Sequence, residues 1–104
     1  MAQFDVHKNT APSKSYAPYL LDVQADLLQG LATRLVIPLV KPAALGNRLI
    51  GDLHVEVEVD GHRFIAVTSE LAAIPRTALG ARVASLAHLR TDLVRSIGVI
   101  ISGV

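Results

Sequence analysis

The chain has 104 residues, a length for one domain spanning 1–104; half of them (51%) are hydrophobic and only 18% are charged, which excludes a disordered protein. Its net charge of +1 comes from interleaved acidic and basic residues, without the basic stripe that a phosphate-binding surface requires. The lack of cysteine excludes disulfides, thiolate metal sites and cysteine nucleophiles.

No apolar run reaches the roughly 18 residues of a membrane span. The start, MAQFDVHKN, lacks the basic-then-apolar layout of a signal peptide, so a cytoplasmic protein with no membrane partner is expected. Gln3 to His7 alternates, with Phe4 and Val6 against Gln3, Asp5 and His7, and predicts a half-buried strand. Lys8 to Pro18 is polar, with two prolines, and predicts an exposed loop. Tyr19 to Asp26 predicts a second strand, with Leu21, Val23 and Ala25 on one face and Asp22, Gln24 and Asp26 on the other. Leu27 and Leu28 break that alternation just before a turn at Gln29-Gly30. One of the two must leave the core face, either into ordinary packing or toward a partner.

Thr33 to Val40 is almost continuously apolar, which predicts a central strand covered on both faces. Pro38 inside it cannot donate a ladder hydrogen bond and implies a bulge, an edge or a switch between sheets. Lys41 to Asp52 reads as a connector with a helical or turn-like middle. Leu53, Val55, Val57 and Val59 then alternate with His54, Glu56 and Glu58, and Asp60-Gly61 separates them from a second alternating run, His62 to Ser69. Asp-Gly between two such runs predicts a tight type I′ hairpin, which needs positive φ at both central residues. Leu71 to Leu79 adds one or two short extended pieces around Pro75.

A helix follows. Leu86, Leu89, Leu93, Ile97 and Ile100 recur at helical spacing, with His88, Arg90, Asp92, Arg95 and Ser96 opposite and Ser85 as the expected N-cap. Gly103 suits a left-handed C-cap, and the apolar, uncharged Ser102-Gly103-Val104 should be held close to the helix end. The whole predicts a mainly β (α+β) fold: a curved antiparallel sheet or small barrel with one C-terminal helix. So apolar a chain of this size is expected to form a homodimer.

The chemistry-bearing residues do not form a known constellation. His7, His54, His62 and His88 show no metal-ligand spacing, and no cofactor motif is present. His54 and His62 should face water. Asp5, Asp22 and Asp26 lie on strand faces expected to be solvated, and no nucleophile elbow accompanies Ser, His and Asp. Thr33 and Arg34 with His7 could assemble a metal-free ribonuclease site, a base plus a cation for the phosphate. With no catalytic set otherwise, the residues read as a binding protein and not an enzyme.

Two blocks, Asp22-Val23-Gln24-Ala25-Asp26-Leu27-Leu28 and Thr33-Arg34-Leu35-Val36-Ile37-Pro38-Leu39, resemble the CcdB family of toxin–antitoxin toxins. The likeness continues through Val67 to Pro75, Val83 to His88 and the terminal helix, so it covers essentially the whole chain. The resemblance implies a homodimeric SH3-like β-barrel with a C-terminal helix. It implies a toxin that performs no chemistry: it binds the DNA gyrase A subunit and traps the enzyme on cleaved DNA. A cognate antitoxin would neutralise it, and the complex would bind operator DNA and repress its own operon. The gyrase-contacting positions carried over are Leu27, Leu28, Gly98, Ile101, Ser102, Gly103 and Val104. This chain departs from the family pattern where it ends Ser-Gly-Val instead of Trp-Gly-Ile, and where Gly98 replaces a polar amide. The Lys8–Pro18 loop and the Lys41–Asp52 connector are candidate antitoxin contacts. The rivals are an endoribonuclease toxin of the similar MazF-type fold and a non-toxic homologue.

Overall fold

The computed structural model describes residues 2–46 and 51–103. Val104 and the 47–50 part of the connector, both named above, lie outside them. Among the described residues, seven strands occur in the order β1 (Asp5–Asn9), β2 (Tyr19–Asp22), β3 (Thr33–Val40), β4 (His54–Val59), β5 (His62–Val67), β6 (Ala72–Pro75) and β7 (Leu79–Ser85). A short helix α1 (Pro42–Leu45) follows β3, and α2 (Arg90–Ser102) follows β7. All pairings are antiparallel, in the spatial order β4-β5-β3-β2-β1-β7, with β6 added to β3. The result is a mainly β, curled half-barrel sheet with a C-terminal helix, compatible with an SH3-like barrel.

β3 is the strand the others are built on, and its proline explains how. Along one edge it pairs β2 from Val36 to Leu39. Along the other it pairs β6 over Thr33–Val36 and β5 over Leu39–Val40. The change of partner falls at Ile37-Pro38, where a residue without an N–H loses least. The β4–β5 hairpin closes at Asp60 and Gly61 with φ of 53° and 80°, the positive pair that a type I′ turn demands.

Phe4, Val6, Leu21, Val23, Ile37, Leu39, Val57, Val59, Phe64, Leu86 and Leu93 form the main core, with Tyr19 set edge-on to Phe64 at 5.2 Å between centroids. Phe4 has a φ of 70°; a bulky residue there costs about 1–2 kcal/mol in local strain. Two backbone bonds hold it, from its own N–H to the Asp22 carbonyl at 2.6 Å and from Leu86 N–H to its carbonyl at 2.8 Å.

Four sequence expectations are corrected. The second strand ends at Asp22, not Asp26, because Asp22 Oδ1 accepts the Gln24 N–H at 3.0 Å and bends the chain. β7 is a strand that the sequence pattern left unread; it pairs β1 and is mostly exposed, so it carries little apolar contrast. The helix begins at Arg90, and Ser85 does not cap it; a 3₁₀ turn occupies Ala87–Leu89, and Ser85 Oγ accepts the Ala87 N–H at 3.3 Å. Ser96, expected on the polar face, is buried. Its hydroxyl donates to the Leu93 carbonyl at 2.9 Å and accepts from Thr68 at 2.9 Å, joining α2 to the end of β5.

Candidate functional site

The residues that break the inside–outside rule fall into two groups. The first is the 3₁₀ turn Asp26–Leu28 between β2 and β3. Leu27 is 97% exposed and Leu28 50%, so both leucines leave the core, where only one was expected to. Leu31, which the sequence did not single out, is exposed beside them in sequence. Such a cluster on a soluble surface marks a contact site more often than chance exposure.

The turn is held from below by buried polar groups. Asp22 and Arg34 are fully buried and form an ion pair, with Arg34 Nε and Nη2 donating to Asp22 Oδ2 at 2.9 and 2.6 Å. Asp22 Oδ1 accepts the Gln24 N–H, and the Gln24 side chain donates to the Leu28 carbonyl at 2.8 Å while accepting the Leu35 N–H at 3.1 Å. Arg76 Nη1 donates to the Gln29 carbonyl at 3.0 Å. Leu27 is therefore exposed on a turn whose following carbonyls, of Leu28 and Gln29, are hydrogen-bonded to side chains.

The second group is the distal end of α2, which packs on β4 and on the 3₁₀ turns at 68–70 and 87–89. Leu93 is fully buried, but Ile100 is exposed and Ile101 is 75% exposed. Gly98 is half-buried, and Ser102 and Gly103 are exposed. The Ser102 hydroxyl turns back to the Gly98 carbonyl at 2.8 Å, so it closes its own helix instead of reaching outward. Gly103, with φ 75° and ψ 9°, is the left-handed C-cap that the sequence suggested, and its N–H reaches the Val99 carbonyl at 2.9 Å. Among the described residues, Ile101 is the more exposed of the two isoleucines presented near the tip. The two groups sit on separate elements of one chain, and Val104 is outside the described residues.

The polar residues considered for catalysis are placed differently from expectation. Asp5 and Asp22 are buried, not solvated: Asp5 pairs with Arg82 Nε at 3.0 Å, and Asp22 with Arg34. Asp26 is exposed and accepts the Gln3 N–H at 2.7 Å. His7 is buried, its Nδ1 3.0 Å from the Gly80 carbonyl and its Nε2 without a partner. Of the polar residues of β1, Asp5, His7 and Asn9 are buried and Lys8 is exposed. His54 is buried where α2 crosses β4, in a polar cleft of about 230 Å³ with Asp52, Glu56, Asp92, Arg95 and Ser96; His62 is exposed as expected. Among the described residues no group of His, Asp and Glu gathers as a metal site, and no helix is long and apolar enough to cross a membrane.

A further groove, of about 430 Å³, runs between Lys14, Ser15, Tyr16 and Pro18 on one side and Lys41, Ala43 and Ala44 on the other. It joins the Lys8–Pro18 loop, which folds as a 3₁₀ turn over Pro12–Ser15, to the start of the connector. A second hollow, lined by Lys8, Asn9 and Tyr19, shares Lys14 and Pro18 with it. The two segments singled out separately in the sequence thus form one lysine-edged surface.

The CcdB protein family matches this sequence over residues 3–103. The chain belongs to the CcdB family. Membership gives it the family's broad character, that of a toxin from a toxin–antitoxin pair. Among solved structures, it is similar to a mycobacterial endoribonuclease determined in complex with its cognate antitoxin, with a TM-score of 0.77, 9% identity, and coverage of 97% of this chain and 94% of that one. It is also similar to the Mycobacterium tuberculosis toxin MazF-mt6, with a TM-score of 0.70, 18% identity, and coverage of 90% and 92%. At these identities the likeness is one of fold. A CcdB-family sequence and MazF-type toxins therefore share one backbone plan.

Proposed function

We propose that this CcdB-family chain is a gyrase-directed toxin of a type II toxin–antitoxin module. It acts without catalysis, binding the DNA gyrase A subunit through Leu27 and Leu28 and through Gly98, Ile101, Ser102, Gly103 and Val104. The observation that carries the reading is Leu27, an almost fully exposed leucine on a backbone pinned from the protein interior. Folding gains nothing from that arrangement, whereas an interface gains roughly 1.5–3 kcal/mol when such a side chain is buried. Leu31 extends the same contact. Ile101 supplies the apolar contact of the tip, and Ser102, turned back on its helix, lacks the stacking face of the family's aromatic residue.

The protein acts as a homodimer. Val83 on the outermost strand β7 and Val94 on α2 are exposed and offer apolar surface to a second copy, and an isologous dimer presents two turns and two tips to a two-fold symmetric target. The lysine-edged groove takes an acidic, disordered segment of the antitoxin that folds on binding. The toxin–antitoxin complex, not the toxin alone, binds operator DNA.

The rival ribonuclease reading needs a cation and a base that reach substrate. Fold likeness favours it; the side chains argue against it. Arg34 is fully buried and paired with Asp22 through Nε and Nη2, its Nη1 unpartnered, and His7 is buried against Gly80. Exposing either would break a buried polar contact, which is strongly unfavourable.

The test is a supercoiled-plasmid assay with purified gyrase and ATP, followed by detergent and protease. Linear DNA that depends on this protein is the expected product. Intact, normally supercoiled plasmid would overturn the gyrase reading; cleavage of RNA dependent on Arg34 or His7 would replace it with the ribonuclease, and harmless expression without antitoxin would indicate a disarmed homologue.

A further inference from the structure

One short segment, Gln3-Phe4, touches the di-leucine turn and the first residue of α2, the helix whose far end carries the second group. The Gln3 N–H donates to Asp26 Oδ1 at 2.7 Å, at the first residue of the di-leucine turn. Its side-chain Nε2 donates to the Val23 carbonyl at 3.1 Å, on the approach to that turn. Its Oε1 accepts from Arg90 Nη1 at 2.9 Å, and Arg90 is the first residue of α2. The same guanidinium lies over the Phe4 ring, 5.6 Å from its centroid. Phe4 carries the positive φ described above, a strain that persists only where neighbours over-determine the backbone. Here the Asp22 carbonyl and the Leu86 N–H fix it on both sides.

We infer that Gln3 is a positioning residue that sets the separation between the Leu27–Leu28 turn and the tip of α2. The inference rests on reading those two groups as gyrase contacts, and it assigns a role to residues outside the apolar contact set itself. Arg90 serves as the counterpart of Gln3 on the helix. The bonds to Asp26 and Arg90 involve exposed atoms, where water competes, so they add little to folding. Their effect is preorganisation: two contacts held at a fixed separation engage as one event, whereas loosely joined ones must be ordered during binding.

The experiment is titration calorimetry of the full chain against purified gyrase A subunit, with melting temperatures measured in parallel. Gln3→Ala and Arg90→Ala should each weaken binding about tenfold, and the double variant should be little worse than Arg90→Ala, because both remove the Gln3 Oε1–Arg90 bond and leave the backbone bond of Gln3 to Asp26 in place. Arg90→Lys, which keeps a donor, should recover most of the affinity, and no melting temperature should move appreciably. Leu28→Ala and Ile101→Ala should be non-additive in the native background and additive once Gln3 is alanine. If the contact variants weaken binding while Gln3→Ala does not, the positioning role is overturned and the contact reading stands. If Gln3→Ala weakens binding but Arg90→Ala does not, Gln3 touches the partner directly and the link is overturned. If Leu27→Ala and Ile101→Ala leave affinity unchanged, or the native chain does not bind, the contact reading falls and the positioning role falls with it.

Discussion

The di-leucine turn and the helix tip both offer apolar side chains to water, but they are held there by different means. The turn hangs from the protein interior: Leu28 is tied to Gln24, Gln24 to Asp22, and Asp22 to the buried Arg34. The tip is held by its own helix, through the Ser102–Gly98 bond and the left-handed Gly103. An exposed contact can therefore be fixed either by burying its support or by ending a regular element abruptly. The first couples function to stability, and the second leaves them separable.

The largest effect that would break this contrast lies at the ion pair. Arg34→Met strands a buried carboxylate and should lower unfolding free energy by about 3–5 kcal/mol, read by urea denaturation; adding Asp22→Leu should restore much of it. A small loss for Arg34→Met alone would mean that the turn is not suspended from the interior. Next comes the helix seat: Leu93→Ala should cost about 2–5 kcal/mol, because the fully buried side chain has no room to be replaced by collapse. Ser96→Ala leaves the Thr68 hydroxyl without its acceptor, and a loss of about 1–3 kcal/mol is expected in the same assay.

At the tip the prediction reverses. Ile101→Ala, or removal of Ser102 to Val104, should change stability by no more than about 0.5 kcal/mol, as for other surface changes, while abolishing or sharply weakening gyrase binding. A marked fall in melting temperature would make the tip structural. Smallest is a reversal of charge in the groove: Lys14→Glu with Lys41→Glu should weaken antitoxin binding and leave gyrase affinity unchanged, as measured by competition between the two partners.

What the sequence disclosed, and what it hid, follows from the physics of each stretch. The β4–β5 hairpin was legible because Asp60-Gly61 fits one turn type. Thr33–Val40 was legible because continuous apolar residues imply two covered faces, and its proline marked an irregularity, which is a change of partner within one sheet and not a switch between sheets. The Leu27–Leu28 anomaly was visible, since it violated an otherwise regular alternation. The polar interior was not. Alternation assumes that the second face of a strand meets water, so Asp5, Asp22 and His54 were assigned to solvent, although neighbouring elements cover them. Ser96 was misplaced for the same reason, because only the Thr68 hydroxyl across the fold makes its burial favourable. Leu79–Ser85 lacked periodic contrast, as a strand held by backbone pairing to β1 needs no apolar stripe. Gln3's links to Asp26 and Arg90 connect distant parts of the chain and leave no local signature.

The pairing of Asp5 with Ser85 also has a consequence in time. The first strand cannot find its outer neighbour until nearly the whole polypeptide exists, and pairing across so large a sequence separation goes with slower folding. During synthesis the chain therefore gains its finished sheet and its helix almost together, as one late event.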